Sequence, residues 1–281
     1  MNALDIEEKY RACVDGLAAF AEGIGMDEAV IGLSGGIDSS LVACMCVDVF
    51  GADRVHGYMM PGPYSSEHSL VDAQELAFNL GMKAERISID EPFEAFVRAL
   101  SGHCVMSYGL AAENTQSRCR MTVLMALANA HGWMMVNTGN KSESMMGYST
   151  LYGDTAGAFA PIGGLYKTDV FALSRWLDER AAAAGQTPPI PHHVLVKPPS
   201  AELAPDQRDE DTLGAYDALD ALLVDYVERG LDRSALVAAG HDAAEVERVT
   251  ARVDAYAFKR ALEPPFPPIP YDDGVIAGTG R

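Results

Sequence analysis

Basic residues are scarce in this chain. Its 281 residues include 21 Lys and Arg against 40 Asp and Glu, which gives a formal net charge of −19 at pH 7. A surface with this excess of negative charge repels phosphate backbones and anionic lipid headgroups. We therefore expect no nucleic-acid partner and no membrane association. If the protein binds an anionic nucleotide, its few Lys and Arg should be concentrated in the binding site.

Long apolar runs and export signals are missing as well. No stretch approaches the roughly 20 apolar residues that a membrane-spanning helix needs. The first ten residues hold three acidic side chains and lack the basic and apolar segments of a secretory signal. The five cysteines, at positions 13, 44, 46, 104 and 119, show no metal-binding spacing, so we expect buried free thiols in a reducing compartment. These features predict a cytoplasmic protein.

The pattern of apolar residues predicts an α/β fold. Segments interpreted as strands alternate with helical segments, and such an order is typical of a doubly wound, mostly parallel sheet covered on both faces. A helical C-terminal part follows. We expect a single domain over residues 1–262 and an extended Pro- and Gly-rich tail, partly mobile, over residues 263–281. The predicted strands are 27–33, 55–60, 83–89 and 133–138, and the predicted helices are 4–22, 40–50, 67–80, 91–100, 113–130, 168–184, 209–229, 233–239 and 242–262.

A glycine-rich turn, Gly32-Leu33-Ser34-Gly35-Gly36-Ile37-Asp38-Ser39, follows the first predicted strand. A strand that opens through small residues into a helix directs backbone N–H groups at one spot, which suits phosphate. The Walker loop would require Lys and then Ser or Thr after its second glycine, and no Lys occurs here. Asp38 stands close by instead, a poor neighbour for phosphate unless a divalent cation lies between them. A turn without any ligand is the alternative interpretation.

A second acidic residue, Glu143, lies in the polar segment after the fourth predicted strand. The carboxyl ends of parallel strands meet at one edge of a sheet, so this segment, the glycine-rich turn and the loop at 61–66 should converge there. Two carboxylates at that edge could hold Mg²⁺ against a triphosphate. Taken alone, Glu143 could also be an acid in the first turn of a helix with no ligand.

The residues of five further blocks, taken with the turn, resemble the NAD synthetase family. The turn is similar to the pyrophosphatase loop of enzymes that cleave ATP between its α and β phosphates. The order and spacing of these blocks agree with the family from about residue 28 to 262. Their residues are most similar to the synthetase portion of glutamine-dependent members. The blocks are Glu-Asn-Thr-Gln-Ser-Arg at 113–118, Thr-Gly-Asn-Lys-Ser-Glu at 138–143, Tyr-Gly-Asp at 152–154, Leu-Tyr-Lys-Thr at 165–168 and Lys-Pro-Pro-Ser-Ala-Glu-Leu at 197–203.

The resemblance implies a Rossmann-like sheet of the adenine nucleotide alpha-hydrolase type and the last step of NAD biosynthesis. ATP would adenylate the nicotinate carboxylate of deamido-NAD with release of pyrophosphate, and ammonia would then displace AMP to give NAD. Family members are commonly homodimers. By position, the resemblance assigns ATP binding to Gly32, Leu33, Ser34, Gly35, Gly36, Ile37, Asp38, Ser39, Thr138, Lys167 and Ser200, deamido-NAD binding to Arg118, Lys259 and Arg260, and Mg²⁺ to Asp38 and Glu143.

The chain departs from part of the family at two positions. Many ammonia-dependent members carry Lys and Asp at the places of Leu151 and Ala158, and both residues contact deamido-NAD there. The roughly thirty residues before the glycine-rich turn are too few for an amidase domain, so we expect ammonia to be used directly or supplied by a separate glutaminase.

Two other functions stay open on sequence grounds. Another pyrophosphatase-loop enzyme, such as an amidotransferase or a tRNA-modifying enzyme, would keep the ATP chemistry and change the acceptor, although the acidic composition disfavours tRNA. A nucleotide-binding sensor of the same fold would bind ATP without turnover.

Overall fold

The computed structural model describes residues 4–271. At the centre of the sheet, strand β1 lies between two parallel neighbours. The strand order is β3-β2-β1-β4, and every neighbouring pair runs parallel. Val30 lies opposite His56 on one side and Met135 on the other. This order confirms the predicted parallel α/β sheet and places the carboxyl ends of β1 and β4 side by side. The strands are β1 Ala29–Gly32, β2 Val55–Met59, β3 Lys83–Arg86 and β4 Met134–Met135.

Helices account for most of the remaining described chain. A single 3₁₀ turn, Ala52–Arg54, precedes β2, and a π-helical turn, Val224–Glu228, interrupts the C-terminal helices. The α-helices are α1 Ile6–Ile24, α2 Ile37–Phe50, α3 Glu67–Leu80, α4 Asp90–Leu100, α5 Leu110–His131, α6 Lys141–Met145, α7 Lys167–Ala183, α8 His192–Val196, α9 Glu210–Leu213, α10 Tyr216–Leu223, α11 Arg233–Ala238, α12 Ala243–Ala255 and α13 Ala257–Arg260.

The central strand is buried on both faces. Successive side chains of a strand point to opposite faces, and Val30 and Ile31 accordingly belong to different apolar clusters. Ile31 packs in the larger cluster, which includes Leu17 of α1 and Leu41 of α2. Val30 packs in a second cluster with residues of α4 and α5, among them Leu124. Helices therefore cover both faces, as the doubly wound prediction requires.

A third apolar cluster forms in the C-terminal helices. It brings Met146 and Tyr166 together with apolar residues of α10, α11 and α12. This cluster lies against the segment that carries Glu143, so the helical part of the chain forms one wall of the region beyond the strand ends.

The segment after residue 263 packs on the domain. Ile269 is buried in the larger cluster. The hydroxyl of Tyr271 donates to Oδ2 of Asp169 at 2.6 Å and accepts from the backbone N–H of Tyr166 at 3.1 Å. Residues 264–271 have no regular secondary structure, and the rest of the predicted tail, 272–281, lies outside the described residues.

Several predicted boundaries were wrong, and three of the differences bear on the site. The helix expected over 209–229 is interrupted at Gly214, whose φ of +81° is unfavourable for other residues. The segment at 187–200, for which no helix was predicted, contains the short helix α8. The last strand is two residues long instead of six, because Asn137 leaves the β1 ladder and its N–H donates to the carbonyl of Phe159.

The expectation for the cysteines is confirmed for four of them. Cys13, Cys44, Cys46 and Cys119 are buried free thiols, whereas Cys104 is exposed. Burial raises the pKa of the Cys13 thiol to about 12. Across residues 4–271, no helix combines the length and the apolar character needed to cross a bilayer.

Candidate active site

The glycine-rich turn joins β1 to α2 and depends on one glycine in particular. Gly35 has a φ of +74°, and a Cβ atom on it would lie 2.1 Å from the carbonyl oxygen of Ser69. Gly36 then caps the N-terminus of α2, whose first N–H groups have no partners within the helix. The turn therefore presents backbone donors and the positive end of a helix at the edge of the sheet.

The hydroxyl groups of two serines stabilise this turn through hydrogen bonds. The Oγ atoms of Ser34 and Ser39 lie 2.9 Å apart, and the backbone N–H of Gly36 donates to Ser34 Oγ at 3.1 Å. The hydroxyl of Ser39 also lies 3.1 Å from the carbonyl of Gly36. The turn thus holds its shape through its own hydrogen bonds.

The ammonium group of Lys167 connects the two predicted acidic residues. Its Nζ atom donates to Oδ2 of Asp38 at 2.6 Å and to Oε1 of Glu143 at 2.8 Å. Lys167 is 1% exposed. Asn140, which also caps α6, donates its side-chain amide to Oδ1 of Asp38 at 2.9 Å. Residues that follow two different strands are therefore held against the first residue of α7.

Burial and charge set the protonation of this cluster. Burial raises the pKa of Glu143 to about 7, a shift that the charge of Lys167 opposes and the charges of Asp38 and Asp209 reinforce. Burial alone would lower the pKa of Lys167, but the charges of Asp38 and Glu143 outweigh it and hold this pKa well above its ordinary value. Lys167 is therefore an ammonium ion near neutral pH.

Asp38 and Glu143 suit a magnesium ion that is shared with a nucleotide. Among residues 4–271, no cluster of three or more His, Cys, Asp or Glu side chains could hold a metal by itself. Mg²⁺ is usually bound through one or two carboxylates, with phosphate oxygens and water completing its six ligands. The donor set fits a metal of this kind.

A cavity of ≈ 730 Å³ extends over the carboxyl edge of the sheet. This volume lies in the range of about 300–1,000 Å³ that is usual for small-molecule sites. All residues of the glycine-rich turn except Gly35 line it. Thr138, Lys167, Ser200 and Lys259 line it as well. The predicted ATP-binding blocks, far apart in sequence, thus share one cavity.

Two predicted substrate-binding residues do not line this cavity. Arg118 is exposed on α5, and its Nε donates to the carbonyl of Leu151 at 3.1 Å. Arg260 donates through Nη1 to the carbonyl of Val253 at 3.0 Å. Ala158, the second position that departs from part of the family, packs against the larger core cluster. The predicted roles of Arg118 and Arg260 toward deamido-NAD gain no support from the cavity.

Several residues in or beside the cavity carry no sequence signal of their own. Asp209 and Tyr216 fall in a segment that was predicted as one continuous helix, yet both are buried, and the Tyr216 hydroxyl lies 3.4 Å from Oε1 of Glu143. Arg252 lines the cavity from α12, and its Nε donates to the carbonyl of Met146 at 2.6 Å. These residues reach the site through the packing of the C-terminal helices, which sequence spacing does not reveal.

Buried polar contacts support the segment around Glu143 from behind. Ser142 donates to Asp220 at 2.5 Å and accepts from the backbone N–H of Lys167 at 2.8 Å. Lys141 forms a buried ion pair with Glu228, with 2.5 Å between Nζ and Oε1. Because these partners lie in α10 and the π-helical turn, the C-terminal helices fix the position of the acidic residue.

With this geometry described, comparison with known proteins identifies the family. The profile of the NAD synthase family matches residues 9–263. The chain belongs to this family, and the resemblance seen in the sequence is confirmed. A glutamine-dependent NAD(+) synthetase of Thermotoga maritima is 42% identical over 255 residues, which are 90% of this chain and 44% of that protein. The chain thus spans a little under half the length of this relative.

Solved structures include two relatives of nearly the same length. An NMN synthetase from Francisella tularensis matches with a TM-score of 0.75 at 29% identity, covering 92% of this chain and 96% of that one. An NH3-dependent NAD synthetase from Campylobacter jejuni matches with a TM-score of 0.68 at 27% identity and the same coverage. These proteins share the fold over almost their entire length.

Proposed function

We propose that this chain converts deamido-NAD to NAD by ATP-dependent amidation, releasing AMP and pyrophosphate. The observation that carries the proposal is the convergence of Asp38, Glu143 and Lys167 beside a phosphate-binding turn, in a chain that matches the NAD synthase family over residues 9–263. A carboxylate is a poor electrophile, so its amidation requires a better leaving group. Adenylation supplies one.

The residues of the site suit this chemistry. The backbone N–H groups of the turn and the N-terminus of α2 would bind the phosphates, and Lys167 would stabilise negative charge as the α–β bond breaks. Thr138 and Ser200 line the same cavity and would contact the nucleotide. Holding the α-phosphorus and the nicotinate carboxylate in one cavity supplies proximity, which accounts for a large share of the barrier reduction in such reactions.

Asp38 and Glu143 would hold Mg²⁺. When bound, Mg²⁺ neutralises charge on the triphosphate. Lys167, which donates to both carboxylates, would face the phosphates beside them.

We place deamido-NAD at the opposite end of the cavity. Lys259 lines it there and donates to the carbonyls of Gly147 and Ser149 at 2.8 and 2.6 Å. We further propose that the protein is a cytoplasmic homodimer, in which Arg118, exposed on α5, would contact the dinucleotide. Light scattering of the purified protein tests the dimer.

The test of the function is a product balance. Protein incubated with ATP, Mg²⁺, deamido-NAD and ammonium should give NAD, AMP and pyrophosphate in equal amounts. ADP in place of AMP would refute the mechanism. Replacing ammonium by glutamine should abolish NAD formation if a separate glutaminase supplies the ammonia.

The mononucleotide is a second candidate substrate. One of the solved structures with the same fold is named an NMN synthetase and is 29% identical to this chain. The same amidation chemistry acts on the nicotinate carboxylate whether or not a second nucleotide follows. Parallel assays with nicotinate mononucleotide and deamido-NAD, compared by kcat/KM, decide between the two.

A further inference from the structure

Asp209 carries a buried carboxylate oxygen without a hydrogen-bond donor. The residue lines the cavity and is 4% exposed. Its Oδ2 atom accepts from the hydroxyl of Tyr216 at 3.2 Å, whereas Oδ1 has no hydrogen-bond partner among the described residues. Buried polar atoms are nearly always paired in native proteins. An unpaired carboxylate oxygen at a cavity wall points to a ligand that donates hydrogen bonds.

The number of available protons supports the same conclusion. The Tyr216 hydroxyl lies 3.2 Å from Asp209 and 3.4 Å from Glu143, but a hydroxyl has only one proton to donate. Lys167 donates to Glu143 and Asp38, and in the described part of the chain no Lys or Arg nitrogen lies within 4.0 Å of Asp209. The carboxylates of Asp38, Glu143 and Asp209 thus have only the positive charge of Lys167 near them. The cluster has room for a further donor that carries positive charge.

The aromatic neighbours are suited to a small cation. The Tyr216 ring already has a cation near it, since Lys167 Nζ lies 5.3 Å from the ring centroid. Tyr148 lines the cavity at the same place. Burial, the charge of Asp209 and a contact between the Tyr148 hydroxyl and this carboxylate raise the pKa of that hydroxyl. Both hydroxyls therefore stay protonated and neutral near pH 7, and each has oxygen lone pairs that can accept from a ligand.

We propose that Asp209, with Glu143 and the hydroxyls of Tyr148 and Tyr216, forms the site that binds ammonium, the nitrogen donor of the proposed reaction. This inference rests on the proposed function. Ammonium has four N–H donors, a single positive charge and no acceptor, which matches a cluster of acceptors with excess negative charge. A metal held by protein side chains alone is disfavoured, because the described residues contain no group of three acidic or His side chains close enough to hold one.

The location also suits the order of the reaction. Glu143 belongs both to the nucleotide end of the cavity, through Lys167, and to the Asp209 cluster, through Tyr216. Ammonium bound here would lie one side chain away from the position where the adenylated carboxylate forms. Because ammonium has no lone pair, one of its protons would first pass to the Asp209 carboxylate. The resulting ammonia would attack the acyl carbon, the C–N bond forming as the bond to AMP breaks, and the second proton would go to the departing phosphate.

The test is the substitution Asp209→Asn, which keeps the side-chain volume and removes the charge. At saturating ATP and deamido-NAD, the KM for ammonium should rise about tenfold or more, as expected for the loss of a hydrogen bond to a charged group. The KM values for ATP and deamido-NAD should stay within about twofold. Exchange of labelled pyrophosphate into ATP, with deamido-NAD and without ammonium, should be unchanged when measured at about pH 8.5, where Glu143 is ionised with or without the charge of Asp209. Unchanged exchange shows that the variant is folded and adenylates its substrate.

Asp211→Asn is the matched control, because Asp211 is exposed on the same short helix and does not line the cavity. Its KM for ammonium should equal that of the wild type. An unchanged ammonium KM in Asp209→Asn overturns the proposal. So does an equal loss of pyrophosphate exchange, or a raised Mg²⁺ requirement for exchange, which would make Asp209 a structural or metal-binding residue.

A second variant covers the case in which Asp209→Asn does not fold. Tyr148→Phe should raise the KM for ammonium several-fold and leave pyrophosphate exchange intact, and an unchanged KM overturns the site. Failure of the proposed function has a different signature, since a wild-type protein without any deamido-NAD-dependent pyrophosphate exchange would refute the amidation itself.

Discussion

The ammonium nitrogen of Lys167 lies 2.6 Å from Oδ2 of Asp38, although 129 positions separate the two residues. The same nitrogen lies 2.8 Å from Glu143. One buried cation therefore balances two carboxylates that follow different strands. The tight packing of these three groups means that each affects both the chemistry and the stability of the site.

Lys167→Met should lower kcat/KM for pyrophosphate exchange by about 100-fold or more, because it removes a buried charge aimed at the phosphates. It should also destabilise the nucleotide-free protein by about 3–5 kcal/mol, since two buried carboxylates lose their partner. Lys83→Met, on the exposed face of the edge strand β3, controls for the loss of one positive charge. Exchange above about a tenth of the wild-type rate would contradict this role.

The pH dependence of stability should report Glu143. Its pKa in the native protein is about 7 against an ordinary value of 4.5, so between these pH values the native state holds a proton that the unfolded state has released. The free energy of unfolding of the nucleotide-free protein should therefore fall as pH rises through this window. Relative to Glu143→Gln, the wild type should lose about 1–3 kcal/mol between pH 5 and pH 7.5, measured by urea unfolding. Glu210→Gln, an exposed carboxylate, should show no such difference.

Gly35→Ala should inactivate the enzyme, because the new methyl group would collide with the carbonyl of Ser69 in addition to straining the backbone. Gly81→Ala is a close control, since Gly81 has a φ of +68° and nothing within 4 Å of the Cβ position. Both substitutions should cost about 1 kcal/mol for the left-handed conformation. Only Gly35→Ala should abolish ATP binding in calorimetry, and equal ATP affinities in the two variants would argue against a tight turn at Gly35.

The ion pair of Lys141 with Glu228 is buried on both sides, with side chains 7% and 1% exposed. Removing one member leaves an uncompensated charge, so Lys141→Met or Glu228→Leu alone should cost about 3–5 kcal/mol. The double variant should cost clearly less than the sum of the two, and urea unfolding of all four proteins gives the coupling. Strict additivity would mean that the pair does not interact energetically.

Lys259→Met should raise the KM for deamido-NAD by about tenfold, as expected for the loss of a charged donor at a binding site. Arg260→Met is the adjacent comparison, because Arg260 bonds to backbone carbonyls and does not line the cavity. Its KM should stay within about twofold of the wild type. An equal effect of both substitutions would show that the pair acts together, as the family resemblance predicted.

The sheet and the nucleotide end of the cavity could be predicted from the sequence for a physical reason. Strands, turns and first-turn helix residues are local patterns, and the rule that parallel strands end at one edge brings Asp38 and Glu143 together without knowledge of packing. Lys167 needed more, since its local sequence reads as an ordinary helix start. The family resemblance alone indicated that it belongs to the site.

The wall of the cavity that the C-terminal helices form depends on long-range packing. Asp209 and Tyr216 were hidden in a segment that looked like one helix, because Gly214 was not recognised as the point where the chain turns. The sequence predicted Arg260, and not Arg252, as a binding residue. Of these two arginines, Arg252 lines the cavity and Arg260 does not. Which face of α12 meets the site is decided by its apolar contacts with α10 and α11, and no local spacing encodes that choice.

The partners of Lys141 and Ser142 lie in the C-terminal helices, at Glu228 and Asp220. These helices are therefore no detachable addition to a nucleotide-binding sheet. A recombination event that exchanged them for unrelated helices would leave a buried lysine without its carboxylate directly behind the site. Sheet and helices must therefore be inherited together.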